Sequence, residues 1–280
     1  MNLSIVIPTY NRAHLIEETL ASALACIREG DQIIVRDNCS TDGTDAVVAR
    51  HAERHQALVL ARAESNQGPV INWLEGVKLA RNPLTLLLFS DDVLLPQKFD
   101  DFRQAFVASG TAVGFGGALI GSEIETASPQ FQLPTQGIVD AGFYVSRTLR
   151  KLGSVPVSPA AYLFRTAALR ESLDQAMIEL GDNDNALSTG AGIDLLAVSL
   201  AVINAKKFFY MPTPHVFFRQ HATSMSTARE GIVQHLYRQS RVVLAKQTYG
   251  VAAGIGTAVA YSMLHHARLA KRLLGGHTVR

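Results

Sequence analysis

Residues 84–96 read LTLLLFSDDVLLP, an uncharged run that ends abruptly at two adjacent acids. The run from Leu84 to Phe89 is almost continuously apolar, which is typical of a central parallel strand buried on both faces. It stops at Ser90, and Asp91 and Asp92 follow at once. The sequence therefore predicts a buried strand that places two carboxylates at one edge of a sheet.

The residues upstream alternate short strand patterns with helical ones. Strands are predicted over 3–7, 32–36 and 57–62, and helices over about 15–30, from about residue 40 and over about 69–80. Asn11 is expected to cap the first helix. Such alternation indicates parallel strands joined by crossover helices. The predicted fold class is therefore α/β, with a mostly parallel central sheet flanked by helices.

Beyond Pro96 the pattern is less regular. We predict a helix to about residue 109, a strand over about 113–120, a helical segment over about 195–203 and a strand over about 208–211. A turn is predicted at Pro212 and Pro214. The sequence contains no internal repeat and no linker before about residue 225, which predicts one main domain over 1–225 and a helical extension over 226–280.

The composition excludes several classes of protein. With 48% hydrophobic and 18% charged residues among 280, the chain can bury a full core and is neither disordered nor fibrous. Cys26 and Cys39 form no zinc spacing and no disulfide framework, which fits a reducing compartment. The opening residues lack a basic leader, so we expect no signal peptide and a cytoplasmic protein. His14 and His215 are expected at the surface or in turns.

Charge is distributed unevenly, although the net charge is only +2. From Thr227 onward there are eight Lys and Arg residues and one acid, Glu230. Two interpretations of this basic tail stay open. It forms a helix that lies peripherally on anionic lipid at the inner face of a membrane, or one that closes the protein's own core or a homo-oligomer interface. Its longest apolar stretch, Val251 to Leu264, is too short to span a bilayer.

Three of the predicted strands end in polar residues. These ends are Pro8-Thr9-Tyr10-Asn11, Asp37-Asn38 and Asp91-Asp92. Because ligands of open α/β sheets bind outside the carboxyl ends of the strands, the three segments are expected to converge on one crevice. Adjacent carboxylates in such a place repel each other and lose solvation unless a cation is present. The pair predicts Mg²⁺ or Mn²⁺ completed by ligand phosphates, and a solvated pair of capping acids is the alternative.

Four motifs in this order resemble those of the inverting family 2 glycosyltransferases, which have the nucleotide-diphospho-sugar transferase (GT-A) fold. They are IVIPTYNR at 5–12, VRDNCSTDGT at 35–44, NQG at 66–68 followed by Asn72, and LLLFSDDVLLP at 86–96 as the DXD-type motif. The resemblance covers about the first 95 residues. It implies a catalytic domain over 1–225, with a nucleotide-binding half over 1–95 and an acceptor half over 96–225, and a basic helical tail over 226–280.

The resemblance also implies roles for individual residues. Asp37 would accept a hydrogen bond from the nucleotide base, Asp91 would approach the ribose or the metal, and Asp92 would bind the metal. The rest of the nucleotide pocket would come from the first loop and the NQG segment, with Pro8, Thr9, Tyr10, Asn11, Asn66 and Gly68.

For the second half the resemblance implies a general base near the acceptor, usually an Asp within an acidic pair. The best candidate is Asp194, but its acidic neighbour is absent, and Asp182 and Asp184 stay open as alternatives. The segment FRQH at 218–221, followed by serines at 224 and 226, resembles the family's YRxH…S segment. Its histidine, His221, would reach the metal or the diphosphate.

The resulting expectation is a metal-dependent inverting glycosyltransferase. It would move a sugar from a nucleoside-diphosphate sugar, UDP-linked by family frequency, to a hydroxyl of a glycan or lipid-linked acceptor in surface polysaccharide biosynthesis. We expect no nucleic-acid partner. A catalytically silent nucleotide-sugar-binding module and a nucleotidyltransferase stay open as alternatives. The G-x-G-x-x-G turn of dinucleotide oxidoreductases is absent after the first strand, where this chain has PTYN.

Overall fold

The computed structural model describes residues 1–150, 155–221 and 230–260. In these residues ten strands form one mixed sheet, with the order β3-β2-β1-β4-β9-β6-β10-β5, while β7 pairs with β6 and β8 with β10. The strands are β1 (Leu3–Thr9), β2 (Gln32–Asp37), β3 (Leu58–Arg62), β4 (Leu84–Leu87), β5 (Val93–Leu94), β6 (Val113–Gly121), β7 (Ser128–Gln130), β8 (Gly137–Asp140), β9 (Tyr162–Arg165) and β10 (Lys207–Arg219).

Helices cover both faces of this sheet. They are α1 (Ile16–Leu24), α2 (Thr44–Ala52), α3 (Pro69–Lys78), α4 (Pro96–Ser109), α5 (Ala141–Arg150), α6 (Thr166–Leu180), α7 (Asp184–Thr189), α8 (Ile193–Ala205) and α9 (Glu230–Tyr249), with short 3₁₀ turns at Ile124–Thr126 and Pro159–Ala161. Residues 251–260 are also helical. No helix in the described ranges is both long and apolar enough to cross a bilayer.

The strands β3, β2, β1 and β4 are parallel and are connected by α1, α2 and α3. Thr9 lies opposite Asp37, and Leu88 continues the pairing of β4 by donating its N–H to the carbonyl of Val6 at 2.9 Å. All residues of β1 and β4 are buried, as the apolar runs predict. The carboxyl ends of these strands therefore meet at one edge, as expected of crossover connections.

The other half of the sheet is mixed. The strand β9 lies between β4 and β6 and is antiparallel to both, and β10 is antiparallel to β5 and β8. The sequence pattern predicts a mostly parallel sheet and gives no signal for β9. It also places a turn at Pro212 and Pro214, which is wrong, because both prolines lie within β10. The register of β10 against β6 shifts on both sides of Pro214. At such an irregularity a proline, which has no N–H, is tolerated because no hydrogen bond between the strands is lost.

The core consists of one apolar layer on each face of the sheet. Alternate residues of β1 serve different layers. Val6 belongs to the layer that contains buried residues of α3, α6, α8 and α9, whereas Ile5 and Ile7 belong to the layer with those of α1, α2 and α4. This division follows from the period of two in a strand. Helix α9 packs on α8, α5 and α7, so residues 230–249 of the predicted tail close the protein's own core.

Candidate active site

The loops after β1 and β2 are joined by Asn11. Its backbone N–H donates to Oγ of Ser40 at 2.9 Å, and its Oδ1 accepts from the N–H of Thr41 at 2.9 Å. Asn11 adopts φ 51°, a left-handed conformation that Asn tolerates better than most residues. It does not cap α1, whose N-cap position is Leu15. The predicted capping role was therefore wrong, because the side chain is used to tie two loops together.

Asp37 ends β2 with a fully buried side chain. Both of its carboxylate oxygens accept from the N–H of Ser40 at 3.2 Å, and one also accepts from the Ser40 hydroxyl. The guanidinium of Arg62, at the end of β3, lies 3.5 Å away. The carboxylate is thus fixed within its loop, with a positive charge beside it.

Amide side chains connect the second loop to the NQG segment. Nδ2 of Asn38 donates to Oδ1 of Asn66 at 2.8 Å and to the carbonyl of Gly68 at 3.2 Å. Gly68 has φ +81° and ψ 164°, a conformation that essentially only glycine adopts. Asn72, on α3, donates from Nδ2 to the carbonyl of Arg36 at 2.9 Å. Sequence reasoning gave Asn38 no role, although its position directly after Asp37 at a strand end was the available signal.

Two buried oxygens at this edge lack a hydrogen-bond partner among the described residues. They are Oγ1 of Thr9 and Oδ1 of Asn72. A buried polar atom without a partner is costly, so its presence beside a loop cluster is typical of a place where water or a ligand binds. Tyr10, by contrast, is 40% exposed, which leaves its ring accessible above the same loop.

The acid pair follows β4 as the sequence predicts. Asp92 is buried, and burial raises its pKa well above the usual range, with the charge of Asp91 acting in the same direction. The backbone of Arg219 donates a hydrogen bond to Asp92, which opposes this rise. Asp91 is more exposed, and its Oδ2 lies 3.0 Å from Nε2 of His221. His221, two residues after the end of β10, therefore contacts Asp91.

The chemistry of these side chains fits a hard divalent cation. Two carboxylates stand on consecutive residues, and the buried one, Asp92, keeps a raised pKa although the charge of Arg219 acts to lower it. Such a pair gains from a further positive charge. In the described ranges no three His, Cys, Asp or Glu side chains converge closely enough to hold a metal ion by themselves. Remaining ligands would therefore have to be phosphate oxygens or water, which is how Mg²⁺ commonly binds.

Asp194 lies in the first turn of α8 and is buried. Its Oδ1 accepts from the N–H groups of Gly192 at 2.9 Å and Leu195 at 2.6 Å, and its Oδ2 accepts from the hydroxyl of Tyr237 at 2.8 Å. Burial raises the pKa of Asp194 to about 7, although these hydrogen bonds lower it. A carboxyl group of this pKa can exchange a proton near neutral pH.

The alternative acids differ in environment. Asp182 and Asp184 are exposed, on either side of Asn183, which caps α7 through its side chain. With Gln239 they line an open pocket of about 480 Å³. They therefore lie in solvent, at the far end of α7 from Asp194.

A chain of contacts connects the Asp194 loop to the nucleotide half. A Cβ on Gly68 would lie 3.4 Å from the carbonyl oxygen of Leu187, and one on Gly190 would lie 2.0 Å from the ring of Trp73. Trp73 in turn packs on Phe89, with 5.4 Å between ring centroids. The Asp194 loop therefore packs, through Trp73, against the segment that carries the acid pair.

A cavity of about 330 Å³ is lined in part by Leu195, the residue after Asp194. Most of its lining is apolar, and two guanidinium groups contribute to it. The lining comprises Ile120, Phe131, Arg147, Thr148, Val155, Val157, Ser158, Leu195, Phe218 and Arg241.

The structure corrects the expectation for His215. This residue is fully buried within β10 and stacks on Phe102 at 4.2 Å between ring centroids, whereas His14 is exposed as predicted. Residues 215–217 of β10 are all buried, which places His215 in the core. Ser224 and Ser226, and the tail residues after 260, lie outside the described residues.

The fold and this site define a class of protein. A parallel half-sheet whose carboxyl-end loops carry these motifs, continued by a mixed half, is the GT-A arrangement of glycosyltransferases. Residues 4–169 match the family model "Glycosyl transferase family 2". The chain belongs to glycosyl transferase family 2, which confirms both the family and the fold that the motifs predict.

Comparisons with individual proteins agree. The chain is 24% identical over 251 residues to the succinoglycan biosynthesis protein ExoU of Rhizobium meliloti, with 87% of this chain and 70% of that protein covered. The putative teichuronic acid biosynthesis glycosyltransferase TuaG of Bacillus subtilis is 25% identical, and the match covers 46% of that protein. Two other curated relatives match over only 37% and 29% of their own lengths.

Solved structures share the fold. TarS of S. aureus in complex with UDP-GlcNAc has a TM-score of 0.69 at 20% identity, covering 91% of this chain and 69% of that one. The mannosyltransferase PcManGT of Pyrobaculum calidifontis, in complex with GDP-Man and Mn²⁺, has a TM-score of 0.52 at 18% identity, covering 97% and 79%.

Proposed function

We propose that this protein is a metal-dependent inverting glycosyltransferase that moves a sugar from a nucleoside-diphosphate sugar to an acceptor hydroxyl. The observation that carries the proposal is the buried Asp92 beside Asp91, at the edge where β1, β2 and β4 end. An acid that is buried beside a second carboxylate at the ligand edge is stabilised by a bound cation. The nucleotide half would comprise residues 1–95, and the acceptor half residues 96–225.

The donor nucleotide would bind in the loops that Asn11, Asp37 and Asn38 hold together. The orphaned Oγ1 of Thr9 and Oδ1 of Asn72 supply unused acceptors there, and the Gly68 backbone permits close approach of a ribose. Pro8, Tyr10 and Asn66 complete the proposed pocket. We propose a uridine base, since the fold neighbour TarS is seen with UDP-GlcNAc.

Mn²⁺ or Mg²⁺ would be held by Asp92, with Asp91 and His221 beside it, and would offset the negative charge that develops on the departing diphosphate. The neighbour PcManGT, seen with GDP-Man and Mn²⁺, supports this assignment. His221 contacts Asp91 at 3.0 Å, so its first effect is to orient that carboxylate.

Asp194 would act as the general base. Its pKa of about 7 suits proton abstraction near neutral pH, whereas Asp182 and Asp184 are exposed to solvent. The carboxylate would take the proton of the acceptor hydroxyl as that oxygen attacks the anomeric carbon. The bond from that carbon to the diphosphate breaks in the same displacement, so the anomeric configuration inverts.

The acceptor would occupy the cavity beside Asp194. Its apolar lining, with Arg147 and Arg241, suits a glycan attached to a lipid or another apolar group next to an anion. The name of the relative ExoU supports a role in polysaccharide biosynthesis. A sugar acceptor on a lipid carrier would place the enzyme at the inner face of a membrane.

The tail would make that membrane contact. Beyond α9 the helical residues Val251, Ile255 and Val259 are spaced four apart and are 63%, 61% and 47% exposed, which gives an apolar stripe that no other part of the described ranges covers. Basic residues follow in the sequence. Truncation after residue 250 should abolish co-sedimentation with anionic liposomes. Unchanged co-sedimentation would remove the membrane contact, and a change of oligomeric state instead would assign the stripe to a homo-oligomer.

A transfer assay tests the proposed function. The protein is incubated with a panel of nucleotide sugars and Mn²⁺, and release of the nucleoside diphosphate is measured with and without glycan acceptors. Release that is lost in Asp92→Asn, with a product of inverted anomeric configuration by NMR, is the expected result. Binding of nucleotide sugar without release from any donor would instead favour a silent binding module.

A further inference from the structure

We infer that Tyr237 on α9 is a positioning residue for Asp194, so that a helix outside the matched residues 4–169 completes the catalytic apparatus. This inference rests on the proposed function, in which Asp194 is the base. Among the described residues Tyr237 is the side chain whose hydroxyl bonds to that carboxylate, at 2.8 Å.

Helix α9 is fixed directly on the loop that carries Asp194. Ser240 donates from its hydroxyl to the carbonyl of Gly192 at 2.9 Å, and a Cβ on Gly192 would lie 2.7 Å from that hydroxyl. Gly192 has φ +87°, so only glycine fits this contact without strain. The spacing of Val233, Leu236, Ser240 and Leu244, all buried, gives α9 one face against this loop and its neighbours.

Tyr237 is itself held in place. The guanidinium of Arg241, one turn further along α9, donates to the carbonyl of Tyr237 at 3.0 Å and to the carbonyl of Thr148 at 2.8 Å. Thr148 lies in the last turn of α5, so Arg241 connects two helices at this point. The hydroxyl of Tyr237 therefore approaches Asp194 from a braced helix.

The hydrogen bonds leave Asp194 one place for a substrate. A carboxylate offers about four acceptor sites, and Asp194 uses two on Oδ1 and one on Oδ2. The backbone bonds and Tyr237 fix the plane of the group. The remaining site is on Oδ2, and in the proposed function it would accept from the acceptor hydroxyl.

Tyr237 also affects the proton equilibrium. Burial and the charge of Asp194 raise the pKa of Tyr237, so it stays a neutral donor. Its hydrogen bond lowers the pKa of Asp194, as do Arg241 on the same helix and the backbone amides of Gly192 and Leu195. From α5, Arg147 lines the adjacent cavity. Loss of the Tyr237 hydroxyl therefore makes Asp194 harder to ionise.

The test compares Tyr237→Phe with Tyr249→Phe, which removes an exposed hydroxyl at the end of the same helix. The pH dependence of kcat/KM for the acceptor and the donor Kd are measured. In Tyr237→Phe we expect the acid limb of the pH profile to move up by about one pH unit. Below neutrality this shift lowers kcat/KM by about 10-fold. The donor Kd should stay unchanged. Tyr249→Phe should leave the profile unchanged.

An unshifted acid limb in Tyr237→Phe, in a protein that melts at the wild-type temperature, would overturn the inference. If Tyr237→Phe does not fold, incorporation of 3-fluorotyrosine at residue 237 keeps the ring and strengthens the donor, and the limb should then move down. A limb that stays in place would contradict the inference. Full activity in Asp194→Asn would instead show that the proposed base is wrong, which separates the two failures.

Discussion

The ring of Trp73 fills the space beside the α-carbon of Gly190, where a Cβ would lie only 2.0 Å from Cη2 of the indole. Trp73 belongs to α3 in the nucleotide half, and Gly190 ends α7 and begins the loop to Asp194. One aromatic ring therefore separates that loop from Phe89 and the acids after β4. The two halves of the proposed site are held at a fixed spacing by this contact.

Replacement of Gly190 by alanine should test that contact, and Gly110 provides a matched control. Both glycines end a helix in the left-handed conformation, with φ +74° and φ +69°, but a Cβ on Gly110 meets nothing within 4 Å. Gly110→Ala should cost about 1–2 kcal/mol for the conformation alone. Gly190→Ala should cost about 1–3 kcal/mol more, because Trp73 must move. Equal losses in urea unfolding would show that the ring is not tightly packed.

The activity should fall as the pH drops through about 7. Burial raises the pKa of Asp194 to that value, so its carboxylate takes up a proton below it and the base is lost. Asp194→Asn should lower kcat by about 10²- to 10⁴-fold with donor binding nearly intact. Asp182→Asn and Asp184→Asn serve as exposed controls. If either of these, and not Asp194→Asn, abolishes turnover, the base has been misassigned.

At the opposite edge of the sheet, Arg103 and Asp31 form a buried ion pair. Arg103 donates to both carboxylate oxygens of Asp31, at 2.7 and 2.8 Å. Arg103→Met should destabilise the protein by about 3–5 kcal/mol, because it leaves Asp31 charged and buried. Arg28→Met, which breaks the exposed pair with Asp100, should cost at most about 1 kcal/mol. Chemical denaturation gives the free energy of unfolding of both variants. Similar losses of stability in the two would contradict the prediction.

His215 should make the fold acid-sensitive. Burial lowers its pKa to about 3, and neither ring nitrogen has a partner among the described residues. The neutral His215 contributes to the free energy of unfolding fully at pH values above the ordinary histidine pKa of about 6.5. This contribution is lost as the pH falls towards 3, because the histidine of the unfolded chain takes up a proton first. Between pH 6.5 and pH 5 the loss should approach about 2 kcal/mol.

His215→Phe keeps the stack on Phe102 and removes the titrating group. Its stability relative to wild type should therefore rise as the pH is lowered, while replacement of the exposed His14 by Asn should not change the slope. Urea unfolding at pH 7 and pH 5 measures both. A wild-type protein with the same slope as His215→Phe would rule out a buried neutral histidine.

The nucleotide half was predictable because its signals are local. A buried strand is continuously apolar, a crossover helix is amphipathic, and Pro8, Asp37 and Asp91 stand where the strands end. The second half depends on distant pairings. Strand β9 has only four residues and depends on pairing with β4 and β6. In β10 two prolines interrupt the strand pattern of the sequence.

The partners of the site residues were the least predictable feature. Nothing near Asp194 in the sequence indicates Tyr237, which is 43 residues away and comes from a tail identified by its charge. Similarly, Arg62 meets Asp37 only because β2 and β3 pair. Such contacts follow from packing of whole elements, and no local motif encodes them.

The most direct measurement of the central claim is a thermal-shift comparison of UDP with and without Mn²⁺, in wild type and in Asp92→Asn. UDP at about 100 times its Kd should stabilise the native state by about 2.7 kcal/mol, a rise of several degrees, only when Mn²⁺ is present. Asp92→Asn should abolish the shift without lowering the melting point of the free protein, since the buried acid is replaced by a neutral group. Asp101→Asn, an exposed acid on α4, should retain the shift. A metal-dependent shift of wild-type size in Asp92→Asn, or no shift in wild type with any nucleoside diphosphate, would contradict the account.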